Sequence, residues 1–237
     1  KAFMLGHGPW SSVMISDCHF VSDTKALRLE GEGNFVVRNC TFHGPSSQGT
    51  KFNGGHDAII IFEGNYSNGT DAGIELGGEI GGLVRYNTFE NCNAGIRGTA
   101  GSQKVRGEFN TFINCDEGVD TGGPLDMGGG MVDVFVGGGI FLPQAQFPNV
   151  APTSSPGRNT FSGPGVSISN SIAQTAFARF NYWNYSTVAE VLANETDGVV
   201  DVDPLGIDSN DTTPPSPAPS LIAPLTVNGT SITVTCT

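Results

Sequence analysis

An aromatic residue recurs along this chain at a nearly fixed interval, each time closing a short turn. The copies are Asp17-Cys18-His19-Phe20, Asn39-Cys40-Thr41-Phe42, Gly64-Asn65-Tyr66, Asn87-Thr88-Phe89, Asn110-Thr111-Phe112, Asp133-Val134-Phe135, Asn159-Thr160-Phe161 and Asn181-Tyr182-Trp183. The aromatics are spaced by 22, 24, 23, 23, 23, 26 and 22 residues. A period sustained this long marks a repeat architecture, in which each unit buries its apolar face only by stacking on the next.

Each unit carries two short strand-like runs. Before the aromatic stand Val13-Met14-Ile15, Phe35-Val36-Val37, Ile59-Ile60-Ile61 and Leu83-Val84. After it stand Ala26-Leu27-Arg28-Leu29, Gly73-Ile74-Glu75-Leu76, Gly95-Ile96-Arg97, Gly118-Val119-Asp120 and Val166-Ser167-Ile168. Apolar and polar residues alternate in several of these runs, the period of a half-buried strand. Gly, Asn, Asp and Ser fill the gaps and leave no room for a helix. Counterpart strands then pair one rung apart, at about 4.8 Å. A β-sandwich is the competing all-β solution, but its strands do not repeat one turn chemistry at one period.

The pattern V-x-I-x-x-N-x-F followed by G-I-x-L, over residues 11 to 183, resembles that of the right-handed parallel β-helix family, of the pectate-lyase-like, secreted or cell-surface type. The resemblance implies an all-β solenoid of about eight rungs with a C-terminal cap. It also implies an internal ladder of the turn asparagines (Asn87, Asn110, Asn159, Asn181) beside a stack of the eight aromatics. Cys18, Cys40, Gly64 and Asp133 depart from the asparagine. Ala178-Arg179-Phe180-Asn181-Tyr182-Trp183 resembles the closing repeat of secreted bacterial β-helix proteins. Ser186 is placed to cap a short helix over Thr187 to Ala193.

Three segments follow. Residues 1–206 form the solenoid, with 184–206 as its cap. Residues 207–220 include Thr213-Pro214-Pro215-Ser216-Pro217-Ala218-Pro219, a semi-rigid spacer. Residues 221–237 alternate as a strand that must pair with something: its own solenoid, a further domain or a neighbouring subunit. Residues 140–157 read as a loop on one corner, and Gly122-Gly123, Gly128-Gly129-Gly130 and Gly137-Gly138-Gly139 as tight corners.

A net charge of -12 argues against nucleic acid and anionic membrane as partners, and no apolar run approaches the length of a membrane span. Seven sequons, at Asn39, Asn65, Asn68, Asn184, Asn194, Asn210 and Asn228, point to N-glycosylation in a secretory route. The alternative is a bacterial chain rich in turn-forming Asn and Thr. The chain is read as a mature or excised piece of a longer protein, secreted or at the cell surface.

Chemistry in such a rod is sought by column, since one offset on successive rungs lines up side chains. Arg28, Glu75, Arg97 and Asp120 stand eight or nine residues after their aromatic, and Arg38, Arg85, Glu108 and Arg179 four residues before theirs. If the chain is an enzyme, the fold's usual chemistry is that of a polysaccharide lyase. Arg97 would then be the base, with Asp120 and Glu75 beside it and Arg28 and Arg85 on the polysaccharide. Gly6-His7-Gly8 resembles a polygalacturonase motif, but the paired carboxylates that glycoside hydrolysis needs are missing. Asp116, Glu117 and Asp120 would hold Ca2+ as oxygen ligands; no other cofactor is expected. The first reading is a non-catalytic extracellular β-helix glycoprotein, a structural, filament or adhesive component. Its partners would be polysaccharide or neighbouring subunits, and residues 221–237 would join copies. Cys18–Cys40 and Cys92–Cys115 occupy equivalent positions on adjacent rungs, within disulfide reach. Two ladders of free thiols are the alternative. Cys236 is left over, free or bonded to another chain.

Overall fold

The computed structural model of the chain describes residues 3–5, 9–22, 25–44, 48–99, 104–122, 125–128, 157–173, 175–206 and 231–235. They form a parallel β-solenoid with three faces. On the first face the front halves of three long strands, Lys25–Arg38, Gln48–Glu63 and Ala72–Arg85, are followed by Ala94–Gly98, Glu117–Thr121, Val166–Asn170 and Thr196–Asp197. On the second face Pro9–Ser16 pairs with the rear half of Lys25–Arg38. The rear halves of the other two long strands come next, then Lys104–Glu108, Leu125–Gly128, Ala176–Ala178 and Val200–Asp201. The third face has six three-residue strands: His19–Val21, Thr41–His43, Tyr66–Asn68, Thr88–Glu90, Thr111–Ile113 and Thr160–Ser162.

The described residues therefore make about six turns, fewer than the eight copies of the motif. Two copies explain the difference. Phe112 pairs directly with Phe161, so no rung built on Asp133-Val134-Phe135 lies between them. That copy itself falls outside the described residues, as do residues 140–156. The last copy contributes only an isolated bridge, Thr160 to Tyr182.

The aromatic column is present, with one substitution. Phe20, Phe42, Phe89, Phe112, Phe161 and Trp183 belong to it, and consecutive rings from Phe89 onward lie 5.3, 4.8 and 4.7 Å apart. Tyr66 does not. Ser67 pairs with Phe42 and Phe89 and is fully buried, so Tyr66 points outward. Phe62 from the second face fills the gap, 6.0 Å from Phe42 and 6.4 Å from Phe89. The glycine opening the post-aromatic run follows from this stack. A Cβ at Gly95 would lie 2.5 Å from Phe112 Cδ1, and one at Gly73 2.2 Å from Phe89 Cδ1. Real carbon atoms do not approach that closely in a close-packed core.

The asparagine ladder is longer than the four members expected. Asn65 joins it, one residue after Gly64. Each Oδ1 accepts from the backbone N–H and the Nδ2 of the rung before: Asn87 from Asn65 at 2.9 and 3.1 Å, Asn110 from Asn87 at 3.1 and 2.9 Å. Asn159 accepts from Asn110, and Asn181 from Asn159, all four bonds at 2.9 Å. The second Nδ2 hydrogen goes to a carbonyl within the turn, as from Asn110 to Val84 O at 2.9 Å. Backbone groups that a sharp turn would orphan are thus paired inside the rod.

At the C-terminal end the helix runs over Val188–Asn194, capped by Thr187 rather than Ser186. Val191 is buried, and Trp183, Val188, Val200 and Leu205 pack on the core. At the opposite end Ser231–Thr235 pairs in parallel with Pro9–Ser16, from Ser12–Ser231 to Ser16–Thr235. The terminal strand thus finds its partner in its own solenoid. Residues 207–230 lie outside the described residues. No helix among the described residues is long and apolar enough to cross a membrane.

Candidate functional site

The first expected column exists as a register of neighbours. Arg28, Lys51, Glu75, Arg97, Asp120, Ser169 and Asp197 follow one another across the first face. Arg97 Nη1 donates to Asp71 Oδ2 at 2.9 Å, and its Nε to Asp120 Oδ2 at 3.2 Å. Burial alone would lower the Arg97 pKa, but the hydrogen bond and charge of Asp71, together with Asp120, raise it. Glu75 is buried and paired with Lys51, so it belongs to a different ion pair from Arg97. Arg28 donates to Glu30 at 2.6 Å.

The second column, on the second face, is also an ion-pair ladder. Arg38, Glu63, Arg85 and Glu108 are consecutive in register. Arg85 lies 3.3 Å from Glu63 and 3.9 Å from Glu108, and Arg38 lies 3.5 Å from Glu63. Glu108 also pairs with Arg106 at 3.3 Å. These side chains are mostly buried rather than fully outward. Arg179 stands outside this register and pairs with Asp201 at 3.0 Å. The cations of both columns, Arg28, Lys51, Arg97, Arg38 and Arg85, are thus each paired with a carboxylate of the same chain.

The acidic group does not converge. Asp116 is exposed, and Asp120 is engaged by Arg97. Glu117 is pushed above the usual carboxylate range by burial and by the neighbouring Asp120. Among the described residues no three His, Cys, Asp or Glu side chains come together as a metal ion requires.

Both expected disulfides are absent, because Cys40, Cys92 and Cys115 are free, buried thiols. In-register side chains on parallel strands point the same way: Cys92 and Cys115 share a thiol hydrogen bond rather than a covalent one, and the sulfurs also meet nearby oxygens. Cys40 Sγ donates to Arg38 O at 3.1 Å, Cys92 Sγ lies 3.2 Å from Thr70 Oγ1, and Cys115 Sγ donates to Phe89 O at 3.5 Å. Burial pushes the Cys40 thiol up to about 11. Cys18 is disulfide-bonded.

The sequons divide by exposure. Asn65 is 2% exposed and its amide donates to Val37 O and Asn87 Oδ1. A glycan there is incompatible with this ladder. Asn184 and Asn194 are exposed, Asn39 and Asn68 half-buried, and Asn210 and Asn228 lie outside the described residues.

One feature has no counterpart in the sequence reading. The residue before each ladder asparagine takes positive φ, where Asp, Asn or Gly is at ease. Tyr86 and Phe109 occupy that corner with φ 56 and 55°. Their rings stack 5.0 Å apart, with Arg85 5.4 Å above Tyr86 and Arg158 5.9 Å above Phe109. Lys51 and Glu63, equally unforeseen, complete the two columns. Lys51 stands nine residues after Phe42, as Glu75 does after Tyr66, so the offset itself was the missed signal.

A family model described as the right-handed β-helix region matches residues 8–142, more than half of the chain. No curated protein and no solved structure gives a match. The parallel three-faced solenoid and its asparagine and aromatic columns agree with that model, and the chain belongs to the right-handed β-helix family.

Proposed function

We propose that this chain is a non-catalytic β-solenoid that works outside the cell as a stiff structural, filament-forming or adhesive surface component. The observation that carries the proposal is the state of Arg97. A general base must release its proton near the working pH. Arg97 is held by Asp71 and Asp120, and both raise its pKa, the reverse of that requirement. The other cations of the two columns, Arg28, Lys51, Arg38 and Arg85, are each engaged by a carboxylate of the same chain. A lyase needs cations free to neutralise a uronate; a rod needs charges that cancel locally. Partly buried, cross-linked ion pairs suit the second role, and polysaccharide or neighbouring subunits are its expected partners.

The test is to incubate the chain with a panel of uronate polysaccharides and follow the ultraviolet absorbance of unsaturated product. No product is expected, from the natural chain or from Arg97→Gln. Product formed by the natural chain and lost in Arg97→Gln overturns the proposal.

A further inference from the structure

We propose that the chain associates with a second copy of itself, rod against rod and antiparallel, along the corner between the second and third faces. This rests on the reading that neighbouring subunits are partners of the rod. The contact is a column of corner residues: those that precede the ladder asparagines, continued back through Asn39 and Asp17. In rung order the column reads Asp17, Asn39, Gly64, Tyr86, Phe109, Arg158 and Phe180. All seven have φ between 51 and 67°. Such a backbone suits Gly, Asn and Asp and strains bulky side chains. The corner after the third face keeps to the suited types, with Gly69, Asn91 and Asn114 on consecutive rungs at φ 67, 52 and 51°. The ladder corner keeps to them for three rungs and then departs for four. The backbone demand is the same at every rung, so the fold does not account for Tyr86, Phe109, Arg158 and Phe180. Strained positions of this kind gather at binding surfaces, and aromatic residues and Arg are the types enriched there.

The partner follows from the order of the column. A second copy turned end for end, about a two-fold axis between Gly64 and Tyr86, sets Asp17 against Arg158, Asn39 against Phe109 and Gly64 against Tyr86, each pair occurring twice. Each ring then faces a small residue, and opposite charges face each other at both ends. Those charges are available. Asp17 and Arg158 are exposed, and neither has an ion-pair partner among the described residues. Asp17 Oδ1 accepts from Asn39 Nδ2 at 3.3 Å, and Arg158 lies 5.9 Å above the Phe109 ring. Arg28, Arg38, Arg85, Arg97, Arg106 and Arg179 all pair with a carboxylate of their own chain, which leaves Arg158 for a carboxylate from elsewhere.

A parallel pairing in the same register is disfavoured, because it sets Asp17 on Asp17, Arg158 on Arg158 and ring on ring. Two chains of net charge -12 also repel as wholes, so a contact between them needs a strip where opposite signs meet. Beside the column on the third face stand Thr41, Thr88, Thr111 and Thr160, which add no charge. Six positions a side is fewer than the roughly 20–30 residues of a standard interface, so the dimer is weak and forms as concentration rises. Asn39 lies inside the contact, so its sequon carries no glycan in the associating chain.

The experiment is sedimentation equilibrium of the full chain over a dilution series, with no polysaccharide present. The mass should rise with concentration toward that of two chains. Asp17→Arg and Arg158→Asp should each weaken association by roughly tenfold or more, since an isologous contact loses both copies of the pair. The double variant should recover it, and both substitutions place at φ 57° a residue type that the column already holds at that angle. Phe109→Asn should weaken association as well, with the thermal midpoint followed to show that the rod still folds. A chain that is monomeric at every concentration, single variants that associate like the natural chain, or a double variant no better than the singles overturns the proposal. So does a glycan on Asn39 of the natural protein, or a monomeric chain that polygalacturonate retains through Arg158, which assigns the corner to polysaccharide. A monomeric chain leaves the outcome of the lyase assay unaffected, so failure of the dimer and failure of the non-catalytic reading are told apart.

Discussion

Replacing Asn110 by alanine tests whether the asparagine ladder holds the rungs together. The side chain makes four hydrogen bonds. Its Oδ1 accepts from Asn87 N at 3.1 Å and Asn87 Nδ2 at 2.9 Å; its Nδ2 donates to Val84 O and Asn159 Oδ1, both at 2.9 Å. Truncation leaves the Asn87 N–H, one Asn87 amide hydrogen and the Val84 carbonyl unpaired in the interior. Each unsatisfied buried group costs about 1–3 kcal/mol, so the sum, after local relaxation, is about 3–6 kcal/mol. Asn65→Ala should cost roughly 1 kcal/mol less. Asn65 heads the ladder, and its Oδ1 accepts only from Cys40 N, at 2.9 Å. Asn87→Ala combined with Asn110→Ala should cost less than the sum of the singles, because the two residues share the bonds between them. Guanidinium unfolding followed by far-ultraviolet circular dichroism measures all four variants. A loss below about 1 kcal/mol for Asn110→Ala, or a larger loss for Asn65→Ala than for Asn110→Ala, refutes the reasoning.

Two further outcomes are expected. Gly95→Ala should destabilise the rod by about 1–3 kcal/mol, since its Cβ would overlap the Phe112 ring, and Phe112→Ala by about 3–5 kcal/mol; neutral thermal melts for Gly95→Ala would show that the ring gives way freely. Acid titration should show opposite trends at two carboxyls of the first face and its turn. Glu117 has its folded pKa raised, mainly by burial and then by Asp120, so its proton favours the folded state and stability rises slightly as pH falls through that pKa, above the ordinary 4.5. For Asp71 burial is outweighed by hydrogen bonds from Arg97 and Asn93, so the pKa is lowered; its stabilisation is present above the ordinary 3.8 and is lost as pH falls through the folded pKa. Carboxyl NMR titration of the natural chain and Asp120→Asn checks this, and a Glu117 pKa that does not fall in the variant counts against the assignment.

Much of the fold was legible because a solenoid writes its period into the chain. The faults came from places where two registers fit the same sequence. The aromatic of Gly64-Asn65-Tyr66 suggests one register, yet the rung is set by Asn65, whose amide has a fixed partner on each side. Tyr66 is then one residue early, and Ser67 takes the inward position. The same correction of one residue brings Glu63 into the column of Arg38, Arg85 and Glu108. Spacing alone also could not reject the Phe135 copy, because a 26-residue interval reads as a rung whether or not the chain returns to the stack. The site was legible as columns but not as chemistry. Whether a column of Arg, Glu and Asp is a binding groove or a set of closed ion pairs depends on side-chain partners such as Asp71. Asp71 lies in a turn outside the column.

The direct pairing of Phe112 with Phe161 has a consequence for how this protein tolerates change in length. In that turn the second face holds Leu125–Gly128, and the asparagine ladder continues at Asn159. The rings of Phe112 and Phe161 lie 4.8 Å apart, although the ladder residues of their rungs, Asn110 and Asn159, are 49 positions apart in sequence. The pairing of these two rungs therefore does not fix the count of residues between them, while a single residue added between Asn110 and Phe112 would turn a whole strand inside out.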